Sequence, residues 1–120
     1  MVAEGDIVVA KLPQSDGKSK LRPVLLIRRM PGHGDYLCCG ISAQLHHEQR
    51  GFDVVLEERD PAFKGSGLLK PSLFRLNFLA TIPESHLTRL LGSLPTPHLR
   101  SIQATLSAYL VEDKSNGIRE

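Results

Sequence analysis

With 120 residues, 41% of them hydrophobic and 23% charged, the chain can build one domain with a sizeable core, and its ordinary composition excludes a disordered, fibrous or collagen-like protein. A formal charge of +2 neither demands nor excludes a nucleic-acid partner, so the distribution of charge matters more than its sum. No run of about 18 apolar residues is present to span a membrane, and the opening Met-Val-Ala-Glu-Gly-Asp lacks the basic-then-apolar pattern of a secretory signal.

Residues 5–12, Gly-Asp-Ile-Val-Val-Ala-Lys-Leu, carry a β-branched run opened by Gly-Asp and stopped by Pro13, which predicts a first strand. Residues 14–21 are polar with one glycine and read as a hairpin-type loop. The second strand, 22–28, begins at Arg22-Pro23. Pro23 has a fixed φ and no N–H, so it belongs at the first residue of a strand rather than within it. It also biases Arg22 to an extended conformation. Val24, Leu25, Leu26 and Ile27 then form a continuous apolar run, the pattern of a strand buried on both faces. Residues 30–34 read as a turn. Residues 36–43 read as a third strand, with Gly40 a bulge or a close backbone approach. Cys38 and Cys39 are neighbours on that strand and point to opposite faces, so no disulfide is expected between them. Their spacing matches no zinc pattern, and they read as buried core thiols suited to a reducing cytoplasm.

Residues 45–51 form a polar loop, and 52–56 alternate as a fourth strand. A loop is expected over 57–66, short extended segments at 67–70 and 72–74 around Pro71, and a strand over 76–82 ended by Pro83. Residues 84–94 fit either a short helix bearing Leu87, Leu90, Leu91 and Leu94 or a turn followed by a strand at 87–94. Thr96 as N-cap and Pro97 as first helical residue open the last element. Its Leu99, Ile102, Leu106 and Leu110 recur on one face of an amphipathic helix ending near Leu110. Residues 112–120 are polar and predicted to fray. Short strands followed by one helix predict a small, strongly bent antiparallel sheet or open barrel. Its face away from the helix is left for a partner or substrate.

Three polar clusters bear on chemistry. Arg22 stands at the mouth of a rigid strand, where a fixed cation meets a phosphate or pairs with a surface carboxylate. Lys18, Lys20, Arg28 and Arg29 make a modest basic patch around it, and Glu57, Glu58 and Asp60 lie elsewhere. Ser42 ends the third strand; its hydroxyl either donates to a phosphate oxygen or bonds backbone in a turn. His46 and His47 lack a third metal-ligand residue at helpful spacing. They are solvated loop residues or acid–base groups suited to RNA cleavage. Lys64-Gly-Ser-Gly-Leu-Leu-Lys70 sets glycines around Ser66 but has neither P-loop spacing nor a following helix. It reads as a turn, with at most a backbone contact to ligand.

Five segments taken in order resemble the MazF/PemK family, toxins of type II toxin–antitoxin pairs, and its PemK-like branch in particular. They are Gly-Asp-Ile-Val at 5–8, Lys-Ser-Lys-Leu-Arg-Pro-Val-Leu-Leu-Ile at 18–27, Ile-Ser-Ala-Gln at 41–44, Gly-Leu-Leu-Lys-Pro-Ser at 67–72 and Leu-Ala-Thr-Ile at 79–82. The resemblance runs over residues 5–110. It implies an SH3-like, CcdB-type twisted antiparallel barrel with a C-terminal helix, and it favours the strand at 87–94. It also implies a homodimer with an RNA groove at or near the subunit interface. The implied activity is a cytoplasmic endoribonuclease that needs no metal or other cofactor. Such an enzyme cuts single-stranded RNA by 2′-hydroxyl attack, leaving 2′,3′-cyclic phosphate and 5′-hydroxyl ends. The tail of a cognate antitoxin blocks it by filling the groove.

Arg22 matches the family's catalytic arginine. A guanidinium is a poor base, so its expected role is to stabilise charge on the phosphate. Ser42 matches a position that is usually threonine, and its hydroxyl is expected to hold a non-bridging oxygen. Lys18, Lys20, Gln44, His46, Ser66 and Asn77 are the expected substrate-binding residues. Asn77-Phe78 replaces the acidic residue and glutamine often found in relatives; Phe78 then stacks on a base or joins the core. The alternative reading is a non-catalytic SH3-like binding module, or a degenerate or gyrase-poison-type toxin that binds only an antitoxin or nucleic acid.

Overall fold

The computed structural model describes residues 2–112, so of the tail at 112–120 expected to fray, all but Glu112 lies outside the described residues. Its strands are β1 (Asp6–Pro13), β2 (Ser19–Arg29), β3 (Tyr36–Ser42), β4 (Val54–Leu56), β5 (Ser72–Ile82) and β6 (Leu87–Ser93). They form one antiparallel sheet in the order β4-β5-β3-β2-β1-β6. A four-residue helix, α1 (Phe63–Ser66), lies between β4 and β5, and α2 (Thr96–Val111) follows β6. The sheet curls into a half-barrel.

Successive residues of a strand face opposite ways, and the curl buries both faces. Ile7, Leu25, Ile27, Cys39, Ile41, Phe74 and Leu76 form one core with Ile102 and Leu106 of α2. Val8, Ala10, Leu12, Val24, Leu26, Tyr36, Cys38 and Ile82 form the other. The run from Val24 to Ile27 therefore gives two side chains to each core, as its unbroken apolar pattern requires. Cys38 and Cys39 divide in the same way, and both are free thiols. Burial pushes the Cys38 thiol up to about 12 and raises that of Cys39 as well.

Several boundaries differ from the sequence expectation, each for a physical reason. β2 starts at Ser19, so Pro23 lies inside the strand and not at its first residue. Up to Pro23 the strand pairs with β1 alone, and β3 joins only from Val24. Pro23 thus occupies a one-sided stretch, where a strand tolerates proline. The loop contracts to a turn in which Gln14 N–H donates to Lys18 O at 2.7 Å and Gly17 N–H donates to Gln14 O at 3.0 Å.

β4 is shorter than residues 52–56 because Asp53 does other work. Its buried carboxylate accepts Gln49 N–H at 2.9 Å and Leu76 N–H at 2.8 Å. β5 is one strand rather than two segments, and it carries a bulge. Gly40 pairs with Arg75 and Cys39 with Leu79, which leaves 76–78 looped out.

Residues 67–70 form a turn rather than a strand, and α1 interrupts the loop expected over 57–66. This glycine-rich segment closes the half-barrel. A Cβ on Gly67 would collide with the Leu91 carbonyl, and one on Gly92 with the Gly65 carbonyl, so α1 and β6 meet through bare backbone. Residues 84–94 resolve into a 3-10 turn, Glu84–His86, and then β6. Pro95, not Thr96, is the N-cap of α2, and no side chain caps it. Leu99, Ile102 and Leu106 seat the helix, whereas Leu110 is 71% exposed beside an open groove bordered by Ile27 and Leu37.

Candidate functional site

The ladder between β2 and β3 ends at the pair Val24 and Gly40. Carrying that register on by two residues sets Arg22 against Ser42, where no ladder joins the strands. The gap is a groove of about 520 Å³, walled by Arg22, Pro23, Gly40 and Ser42, with Gln14, Gln44 and His47 at its margins and Arg75 and Phe78 supplied by β5. Arg22 shares its face of β2 with Val24 and Leu26. The groove therefore continues the core that α2 does not cover.

Among the described residues, two arginines and no carboxylate line the groove, which makes it attractive to anions. Ser42 Oγ accepts the Gln44 N–H at 3.0 Å. That bond holds the hydroxyl in place and leaves its proton to donate outward. It does the restraining work that a threonine methyl would otherwise do. Arg75 lies with its guanidinium 6.0 Å from the centre of the Phe78 ring. Its Nε is buried without a hydrogen-bond partner among the described residues, so it retains a donor to offer. Phe78 lies over Gly40: a Cβ there would sit 2.8 Å from the ring. Gly40 is thus both a close approach and the partner of a bulge on the neighbouring strand.

Of the residues expected to bind substrate or act on it, Arg22, Ser42 and Gln44 meet in this groove. His46 does not line it; its neighbour His47 does, the two rings lying 4.3 Å apart in the 3-10 turn Leu45–His47. Lys18 and Lys20 are exposed on the β1–β2 hairpin, outside the lining. Asn77 is exposed on the bulge of β5. Ser66 is not a groove residue. It is fully buried, and its hydroxyl donates to Phe63 O at 2.6 Å and accepts Leu68 N–H at 3.1 Å. Gln14 and Arg75 join the groove without having been expected there. Arg75 had a signal: a lone cation between the core residues Phe74 and Leu76 must face away from their side of the sheet and find something polar.

Residues 3–110 match the family model described as PemK-like, MazF-like toxin of type II toxin-antitoxin system. The chain belongs to the MazF/PemK toxin family. Among solved structures, the Mycobacterium tuberculosis toxin MazF-mt6 is similar to this MazF/PemK chain with a TM-score of 0.66 and 22% identity, covering 90% of this chain and 98% of that one. At that identity the likeness speaks to the fold. No curated protein sequence matches the chain. Membership in a type II toxin family implies an antitoxin partner for this toxin. Among the described residues, no helix is long and apolar enough to cross a membrane.

Proposed function

We propose that this toxin is an endoribonuclease that cuts single-stranded RNA without a divalent metal, in the groove holding Arg22 and Ser42. The observation that carries the reading is the meeting of those two side chains in one cavity with two guanidiniums and no carboxylate. Arg22 donates to the phosphate's non-bridging oxygens and stabilises the charge that develops there, and Arg75 adds a second donor set. Ser42 donates its remaining proton to the same phosphate.

The 2′-oxygen attacks its own phosphorus and the bond to the 5′-oxygen breaks, leaving a 2′,3′-cyclic phosphate and a 5′-hydroxyl. The 2′-hydroxyl proton passes to His47, because arginine, serine and glutamine side chains are poor bases and His47 is the lining side chain with an imidazole nitrogen to receive it. The departing 5′-oxygen takes a proton from solvent water. Lys18 and Lys20 extend phosphate contacts along the hairpin, which makes binding salt-dependent. Gln44, His46 and Asn77 contact flanking nucleotides. The reading further includes a homodimer with this groove at or near its interface, a cytoplasmic place of action, and an antitoxin tail that inhibits by occupying the groove.

The test is cleavage of a mixed RNA pool with EDTA present. Wild type should release 5′-hydroxyl ends. Arg22→Ala should be slower by about 10²–10³-fold and Ser42→Ala by about 10-fold, and Ser42→Thr should keep activity. No cleavage by wild type, or equal cleavage by wild type and both alanine variants, removes the mechanism. RNA that is bound yet left intact would favour the non-catalytic binding module.

A further inference from the structure

We propose that Phe78 is a stacking platform for a nucleobase in the groove, so that one nucleotide beside the reacting phosphate is recognised by its π face rather than by hydrogen bonds. The inference rests on reading the groove as an RNA site, and it concerns how that site selects its substrate. Phe78 is the only Phe, Tyr or Trp among the lining residues. A ring that belonged to the core would be covered, yet Phe78 is 37% exposed in a cavity otherwise rich in polar groups.

The backbone around it is shaped to present the ring. The bulge over 76–78 breaks the alternation of β5, and Asp53 accepts the Leu76 N–H at 2.8 Å. One backbone donor of the irregular stretch is thereby satisfied from inside the protein. On the facing strand, Gly40 offers a flat floor, since any side chain there would strike the ring. The Cδ2 side of the Phe78 ring thus lies close to the Gly40 backbone, and its exposed part opens into the cavity. The Arg75 guanidinium lies over the ring, 6.0 Å from its centre, so it borders the stacking surface and can meet the phosphate of a nucleotide whose base lies on Phe78. Aromatic platforms of this kind accept every base, because each has a π face. Selectivity at this nucleotide is therefore weak, and sequence preference arises elsewhere in the groove.

The experiment measures binding of a short single-stranded 2′-O-methyl oligoribonucleotide, which lacks the attacking hydroxyl and cannot be cut. Phe78→Leu keeps an apolar cover on Gly40 but removes the aromatic face, and Phe78→Trp restores one. Phe78→Leu should weaken binding by about 5- to 150-fold, and Phe78→Trp should bind within a few-fold of wild type. An abasic scan then locates the contact: at one position, removal of the base should make wild type and Phe78→Leu bind alike. Equal binding of the base-bearing oligonucleotide by wild type and Phe78→Leu overturns the platform. So does a loss in Phe78→Leu that persists unchanged at every abasic position. Because no cleavage is read, a protein that binds in this Phe78-dependent way but cuts no RNA loses the nuclease assignment and keeps the platform. Cleavage that proceeds with Phe78-independent binding does the reverse, and failure of wild type to bind the oligonucleotide removes both.

Discussion

Among single side chains, the groove is rich in groups that give protons and poor in groups that take them. Arg22, Arg75 and Ser42 can donate to a phosphate, and His47 is the lining side chain with a ring nitrogen able to take up a proton. His47→Ala should therefore slow cleavage by about 10²–10⁴-fold, and added imidazole should restore part of the rate. A loss that imidazole does not touch would assign His47 to shape alone. Arg22 and Ser42 were legible in the sequence because each ends a local pattern, one before Pro23 and the apolar run, the other at the close of an apolar strand. Arg75 was not, and His47 was a candidate acid–base group only together with His46. Whether they reach the cavity depends on a bulge and on a turn of 3-10 helix, and neither leaves a periodic trace. Ser66 misled for the opposite reason: its two glycine neighbours resemble a ligand loop, but Gly67 is there for close packing against the Leu91 carbonyl.

Among elements, strands and the closing helix were readable from apolar runs and turn residues, and the errors fall where tertiary pairing overrode local chemistry. Pro23 is inside β2 because the strand is paired on one side only there. Leu110 kept helical spacing yet is exposed, because α2 is already seated by Leu99, Ile102 and Leu106. The contact between α1 and β6 was invisible, since residues 65–67 and 91–92 carry no pairing signal across that separation. It makes a sharp prediction. Gly67→Ala and Gly92→Ala should each destabilise by about 2–4 kcal/mol, read as a lower denaturation midpoint. Gly17→Ala is the control. Gly17 also has positive φ, +84°, but nothing lies within 4 Å of a Cβ there, so its cost should stay near 1 kcal/mol. Equal losses at Gly17 and Gly67 would mean that backbone conformation, and not the close approach, sets the cost.

For the molecule as a whole, one sheet with a core on each face ties alkaline stability to two thiols. Burial raises the Cys38 thiol from 9.0 to about 12 and shifts Cys39 in the same direction. The fold therefore favours the protonated forms. Their contribution is complete below pH 9, where the unfolded thiols are still protonated, and is lost as pH climbs from 9 towards about 12. Thermal midpoints should fall across that window, less steeply in Cys38→Ala, and iodoacetamide at pH 8 should label neither thiol until the protein is unfolded. The seam between α1 and β6 acts at the same scale. β6 pairs with β1 but buries none of its residues fully, so the apolar pattern specifies its register only weakly. A slide of one residue would bring Leu91 or Ser93 to the place of Gly92, and a side chain would then jam against the Gly65 carbonyl. The glycines work as a keyway: a misaligned edge cannot latch, and alignment is proofread by main-chain atoms alone.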